Sequence, residues 1–600
     1  MLQKVVGFLR ALDSNADIRP ETPRAWLLWG AALVIRWLTW VVLWPWRKLT
    51  EPRFAIMRPY INPRHPARII ARIVFPIALG IICVAYGFMF GLTAPYLLVP
   101  FAVPIVILVL LAIWALPETH NAPTTSMEAF YAGVLISLLV WPNYLALSLP
   151  GLPWITALRL TSFPLALLFL ISLSSSSVFR GELAETLRAP PGFWFAASSF
   201  LAIQFITIPL SKDPAASLNT AALAQVNWTT MFLVGMWVAR KPGRVERYAT
   251  LFIMLSLPMA IVAIFENMMK HPLWLNHVPP FLKIDDALAA KYMQVILRGD
   301  MYRAKSIYAS PLSFAECLAL FTPFCIHFAM QKYSVWFRVL CALLIPTFFL
   351  CIRMTDARLG ILGMMASFLA YYLLWALLQL GRNARSLMAA AVVYAYPAAF
   401  GFAIMAVMFV HKVRVLVLGG GEAASSNDAR QEQINLGVPK IFGQPWGHGA
   451  GTAAETLGFS PGGFTTIDNY YLSIGLDYGV LGFLAFYGMF VLAIAAAVRT
   501  ILKSPAALDT REKTLLLPLA VSATVFVIIR GVLSQDDNHA LAFSMLGFLV
   551  GMVYRVRKTA KEQQDLLDAE RAALAAAPRN RATPRMRALT MRSATTEPGR

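Results

Sequence analysis

Long apolar runs alternate with short polar connections along almost the whole chain. Runs of about the length needed to cross a bilayer fall at 69–91, 94–116, 129–149, 154–177, 192–210, 216–239 and 247–267. A second series follows at 307–330, 334–352, 359–380, 387–410, 471–498, 514–533 and 539–555. The pattern predicts an all-α polytopic membrane protein with about fourteen transmembrane helices, occupying residues 69–555. One connection breaks the rhythm. Residues 411–470 form a polar insert too long for a simple link, and loops of that size in compact folds are functional or disordered. Its Gly443, Pro445, Trp446, Gly447, His448, Gly449 and Gly451 predict tight turns with exposed backbone N–H groups.

Charge assigns the connections to sides. Basic stretches at 240–247, Lys332/Arg338, Arg382/Arg385 and 499–513 mark one face as cytoplasmic by the positive-inside rule, and residues 268–306, 353–358, 411–470 and 534–538 then face outward. Residues 1–68 read as a cytoplasmic region in which Ala25–Trp46, carrying Arg36, forms an interfacial helix, with a true span as the alternative. No removable signal peptide is expected from the first residues. Residues 556–600 read as a basic, solvated cytoplasmic tail.

Composition narrows the function classes. The chain has 600 residues, 58% hydrophobic and 14% charged, with a net charge of +21. Such an excess of Lys and Arg could bind nucleic acid, but here it lies in clusters between apolar runs, so no nucleic-acid partner is expected. The five cysteines all lie in apolar segments without ligand spacing, which predicts packing thiols. No phosphate-loop or dinucleotide fingerprint is present, and no cofactor is expected. Asp285/Asp286 and Asp536/Asp537 are acidic pairs that could hold a divalent cation, but neither has further ligands at a recognisable spacing. Solvated loop charge is the preferred reading, and no metal site is expected.

The candidate chemistry lies in the outward segments. Arg303, Arg353, Arg358, Arg414 and Arg430 sit where positive charge is disfavoured, which points to an anion, and guanidinium forks suit a lipid-linked diphosphate. Each arginine could instead snorkel or pair with Asp356, Glu422 or Glu432. Asp468 precedes a long apolar helix and could accept a proton from a sugar hydroxyl; the alternative is a helix N-cap. Asn469 and Tyr470 lie beside it at interface depth. His448 could serve as a base or donor, or stand exposed between glycines. A transporter of lipid-linked sugar would share the spans and arginines, but Glu266 and Glu316 are placed near span ends rather than deep in the bilayer.

The order of these motifs carries a resemblance. Arg303 followed by Ser310-Pro311, the Thr355-x-Ala-Arg358 turn, Arg430, the Pro445-x-Gly-x-Gly449 element and Asp468-Asn469-Tyr470-Tyr471-Leu472 together resemble the O-antigen ligase and Wzy-type polysaccharide polymerase superfamily, over residues 215–500. The resemblance implies a GT-C-like glycosyltransferase of the bacterial inner membrane, with 411–470 as a large periplasmic loop and the active site on the periplasmic face. It implies undecaprenyl-diphosphate-linked glycans as donor and acceptor, in contact with the lipid bilayer, and a chain-length regulator as a further partner. Arg358 and Arg430 would act with Asp468 in catalysis, and Arg303, Arg353, Arg414, His448, Asn469 and Tyr470 would bind substrate. Ligases of the superfamily carry His-Asn where this chain has Asp468-Asn469, a departure that implies the polymerase branch making O-antigen or exopolysaccharide. A ligase transferring glycan to lipid A core or protein stays as the alternative.

Overall fold

The computed structural model describes residues 66–576 apart from 94–97, 120–121, 148–154, 276, 285–294, 296, 299–300, 412–413, 415–423 and 462–464. The expected interfacial helix at Ala25–Trp46 and the pair Asp285/Asp286 lie outside the described residues. Among the described residues nine helices are long and apolar enough to cross a membrane and five shorter apolar helices accompany them, each falling on one of the predicted runs.

In chain order the helices are α1 (Pro66–Thr93), α2 (Leu98–Trp114), α3 (Thr124–Val140), α4 (Ala157–Ser175), α5 (Ser177–Leu187), α6 (Phe193–Ile206), α7 (Pro214–Val238) and α8 (Arg244–Met269). There follow α9 (Pro311–Met330), α10 (Val335–Met354), α11 (Arg358–Arg382) and α12 (Leu387–Phe409). The polar insert contributes α13 (Ala424–Gly443) and α14 (Ala453–Leu457), and the chain returns through α15 (Tyr470–Lys503), α16 (Leu516–Ile529) and α17 (His539–Ala576). Side-chain caps set several starts: Ser310 accepts from the Leu312 amide with Pro311 at the first helical position, and Ser334 and Ser386 cap α10 and α12. The predicted final span ends at 555, but α17 runs on to Ala576, where Lys, Glu, Gln, Leu and Ala favour a helix that stays exposed to solvent.

The chain forms two compact units, Met1–Met127 with Leu167–Glu182 and Glu128–Ala166 with Leu183–Arg600. In the first, Arg180 pairs with Glu118 at 2.6 Å and also donates to the Leu173 and Ser174 carbonyls. In the second, α9 is almost wholly buried and packs against α10, α11 and α16. Close approach there depends on small residues, since a Cβ on Gly360 would stand 2.8 Å from that of Ala315, and one on Gly363 would stand 3.0 Å from that of Ala319.

Strand is confined to short pieces. β1 (Leu145–Leu147) lies between β2 (Ile155–Thr156) and β3 (Leu282–Ile284), both antiparallel to it, with Ala146 opposite Thr156 and Lys283. Tyr144 and Leu145 pack there with Trp274, Val278, Ile284 and Ala309. A second antiparallel pair, β4 (Leu297–Arg298) and β5 (Met301–Tyr302), leads into the segment before α9.

Candidate active site at one end of the bundle

Three of the expected arginines are gathered by one turn. Arg353 lies in the last turn of α10 and Arg358 opens α11. Between them the Thr355 hydroxyl accepts from the Ala357 amide at 3.1 Å and donates to the Ile352 carbonyl at 2.6 Å, closing the turn. The segment after β5 is laid against it: the Ala304 amide donates to Met354 O and Arg303 Nε to Thr355 O, both at 2.9 Å. Arg353 is exposed and Arg303 and Arg358 are half-buried. Buried Glu266 on α8 fixes the same segment by accepting from Tyr302 Oη and from the Lys305 and Ser306 amides. It stands in the last turn of α8, near the span end as expected, and is committed there to structural partners inside the fold.

Lys305 is 1% exposed, and among the described residues its Nζ has no hydrogen-bond partner. Burial pushes its ammonium down to about 8, against the pull of the Glu266 charge.

Asp468 and Asn469 divide the work at the return to the bundle. The expected alternative for Asp468 was the helix cap, but Asn469 fills that role, its Oδ1 accepting from the Tyr471 and Leu472 amides at 2.9 and 3.3 Å. The Asn469 oxygen, expected to meet substrate, is thus engaged by the helix end. The Asp468 amide donates to Gln433 Oε1 at 2.9 Å, and among the described residues no group bonds to the half-buried Asp468 carboxylate. Gln433 is fully buried on α13, and Arg430 lies three residues before it on the same helical face. Arg430 is half-buried, with its Nε enclosed and unpartnered. Tyr470 is buried, its amide bonds Arg530 O at 3.1 Å, and its hydroxyl has no partner.

Two expected binding residues are placed otherwise. Arg414 lies beyond α12 and turns back on its end, donating from Nε to Val407 O at 3.2 Å and from Nη2 to Met408 O, so it satisfies open carbonyls of α12. His448 donates through its amide and Nδ1 to Leu476 O at 2.9 and 3.0 Å. The glycine-rich element around it serves the fold. α15 breaks at Gly479, with φ of 68°, and the carbonyls of Leu476 and Asp477 freed there accept from the His448 and Gly449 amides, while the Val480 amide donates to Pro445 O. The N–H groups expected to meet an anion are largely spent on this break.

Arg530, Asn538 and His539, which the sequence reading missed, join Glu316, Asp536 and Asp537 in the polar floor of this end. Arg530, at the end of α16, makes a two-point ion pair with Glu316 of α9, and Glu316 also accepts from Asn538 Nδ2 at 2.8 Å. Asn538 accepts from Tyr308 Oη and donates to Ser313 O. Asp537 accepts from Ser313 Oγ, so it is not solvated loop charge. Asp536 faces a different partner, His539 Nδ1 at 3.1 Å, and the two carboxylates do not share a focus. The Asp536 side chain is 64% open to solvent, and neighbouring charges act on its carboxyl in opposite directions, Arg530 pulling it down and Asp537 and Glu316 raising it. Trp228 stacks on the His539 ring at 4.9 Å. The available signal was charge of opposite sign inside two apolar runs, Glu316 in 307–330 and Arg530 in 514–533, which requires a partner.

Against known proteins, residues 340–487 match the family model Wzy_C, described as O-antigen ligase. The resemblance read from the ordered motifs is borne out over that stretch, and the chain carries a domain of the O-antigen ligase and Wzy-type superfamily there. No curated protein matches the chain.

Proposed function

We propose that this protein is a glycosyltransferase that polymerises undecaprenyl-diphosphate-linked repeat units into O-antigen or exopolysaccharide at the periplasmic face of the bacterial inner membrane. The matched domain supports ligase- or polymerase-type glycosyl transfer in general. The observation that carries the finer reading is the division between two neighbours: Asn469 caps α15, so that among the described residues the Asp468 carboxylate is unbonded, while Arg303 bonds the turn that carries Arg353 and Arg358 at its ends.

In the proposed reaction the acceptor hydroxyl gives its proton to Asp468 as its oxygen bonds the anomeric carbon of the donor glycan. The anomeric C–O bond to the diphosphate breaks, and the polyprenyl diphosphate departs with the electron pair. Arginines already in place stabilise the charge that develops on that leaving group. Arg303, Arg353 and Arg358 hold the diphosphate, and Arg430 approaches from α13.

The family description favours a second reading, transfer of finished glycan to lipid A core or protein. Purified protein in nanodiscs, given undecaprenyl-diphosphate-linked repeat unit alone, distinguishes them. A ladder of lipid-linked oligomers is expected. Transfer only after a lipid A core or protein acceptor is added would establish the ligase instead, and movement of lipid-linked sugar across the bilayer without product would establish a transporter.

A further inference from the structure

A cavity of about 190 Å³ lies outside both the matched domain and the motif series. Its polar lining comes from three places: Asn143 after α3, Thr156, Arg159 and Ser162 around the start of α4, and Asn227 in the middle of α7. Phe163 and Val226 supply apolar wall. At ~30 Å³ per water the space equals about six waters, too small for an extended ligand and suited to a single ring.

The side chains are set by local structure. Thr156 Oγ1 accepts from the Arg159 amide at 3.1 Å, fixing the first turn of α4 where the guanidinium emerges. Among the described residues Asn143 Oδ1 is buried without a hydrogen-bond partner, an acceptor that a ligand hydroxyl would satisfy. Asn227 sits in a π-helical turn, Gln225–Thr229, held open by Thr230 Oγ1 donating to Gln225 O at 2.9 Å and Thr229 Oγ1 to Gln225 Oε1 at 2.7 Å. Such turns concentrate at functional positions. This one joins two places: Asn227 lines the cavity, and the next residue, Trp228, stacks on His539 beside Asp536.

We propose that this cavity seats one sugar ring of the acceptor glycan, an inference that rests on the glycosyl-transfer reading above. Two carboxamides that both donate and accept match sugar hydroxyls, the guanidinium fork matches a vicinal pair of oxygens, and Phe163 with Val226 meets the apolar face of the ring. The segment 536–539 touches the π turn through His539 and the start of α9 through Asp537 and Ser313. The π turn that forms one wall of the cavity is thus packed, through Trp228 and His539, against Tyr470, two residues after Asp468.

The test uses the full chain in nanodiscs and, as probe, the single repeat-unit oligosaccharide of the host strain freed from its lipid by mild acid, with binding read by titration calorimetry. The native protein is expected to bind it. Asn227→Ala and Arg159→Lys should each weaken binding roughly tenfold, the loss of one or two hydrogen bonds, and Ser162→Leu should abolish it by filling the space. Thermal unfolding of each variant checks the fold, and Arg159→Lys keeps the charge if the others prove unstable. Absence of binding to the native protein, or equal binding by folded variants, would overturn the cavity assignment even if the protein makes polymer. Binding that follows the cavity variants in a protein without transferase activity would uphold the cavity and overturn the function proposed above.

Discussion

Glu316 and Arg530 stand 214 residues apart in sequence and meet in a two-point ion pair at 2.7 and 2.9 Å, both side chains fully buried. The pair ties α9 to the end of α16, next to the backbone bond from Tyr470 to Arg530. Removing one partner strands the other charge in the interior, which costs ~3–5 kcal/mol. Arg530→Met is therefore expected to lower the thermal midpoint in detergent sharply, and Arg530→Met combined with Glu316→Gln to recover part of the loss. A single variant as stable as the native protein would show that the pair is not needed for the fold.

Adjacent residues separate chemistry from capping. Asp468→Asn keeps the shape but cannot take a proton, so it should lose product in the nanodisc assay while unfolding at the native midpoint. Asn469→Ala removes the acceptor for two helix-end amides and should cost about 1 kcal/mol of stability. Full polymer formation by Asp468→Asn would remove the proton-acceptor role.

The span pattern was legible because bilayer-length apolar runs demand helices whatever packs against them. The turn at 353–358 was legible as well, since a short polar stretch there interrupts two bilayer-length apolar runs. Other parts depended on contacts that local sequence does not encode. Asn469 and Asp468 are equally good caps by residue type, and only the chain path decides between them. Arg414 looks like Arg358 in sequence, but the end of α12 leaves open carbonyls within its own reach. The glycines at 447 and 449 signalled special backbone, without revealing that the His448 and Gly449 amides serve carbonyls on α15, nearly 30 residues away.

The arginines are expected to separate by location. Arg358→Ala and Arg430→Ala should abolish polymer while leaving normal amounts of protein in the membrane, judged by immunoblot of membrane fractions beside the oligomer ladder. Arg414→Ala should retain the ladder, because Arg414 bonds the end of α12. Normal chain lengths in both Arg358→Ala and Arg430→Ala would dispose of the arginine clamp.

The break in α15 requires glycine. Gly479 has φ of 68°, and a Cβ there would stand 2.0 Å from Pro445 O, with Gly447 N at 2.7 Å. No side-chain rotation relieves a clash with backbone, so Gly479→Ala must either straighten the helix or displace the 445–449 segment. Limited proteolysis should then cut the 445–453 region in Gly479→Ala under conditions that leave the native protein whole.

Lys305 offers a stability change whose direction depends on pH. Its ammonium is enclosed and unpartnered among the described residues, and burial lowers its pKa from 10.5 to about 8. Below pH 8 the folded and unfolded chains both carry the proton, and the fold bears the whole cost of the buried charge, of order 3 kcal/mol. Between 8 and 10.5 only the unfolded chain stays protonated, so native stability rises with pH; above 10.5 both are neutral and the cost is gone. Lys305→Met, of similar length and without charge, should therefore unfold at a higher temperature than the native protein at pH 7. The gap should hold steady down to pH 6 and narrow as pH rises from 8 toward 10. A gap that is absent at pH 7, or that does not change with pH, would mean that the ammonium has a compensating partner.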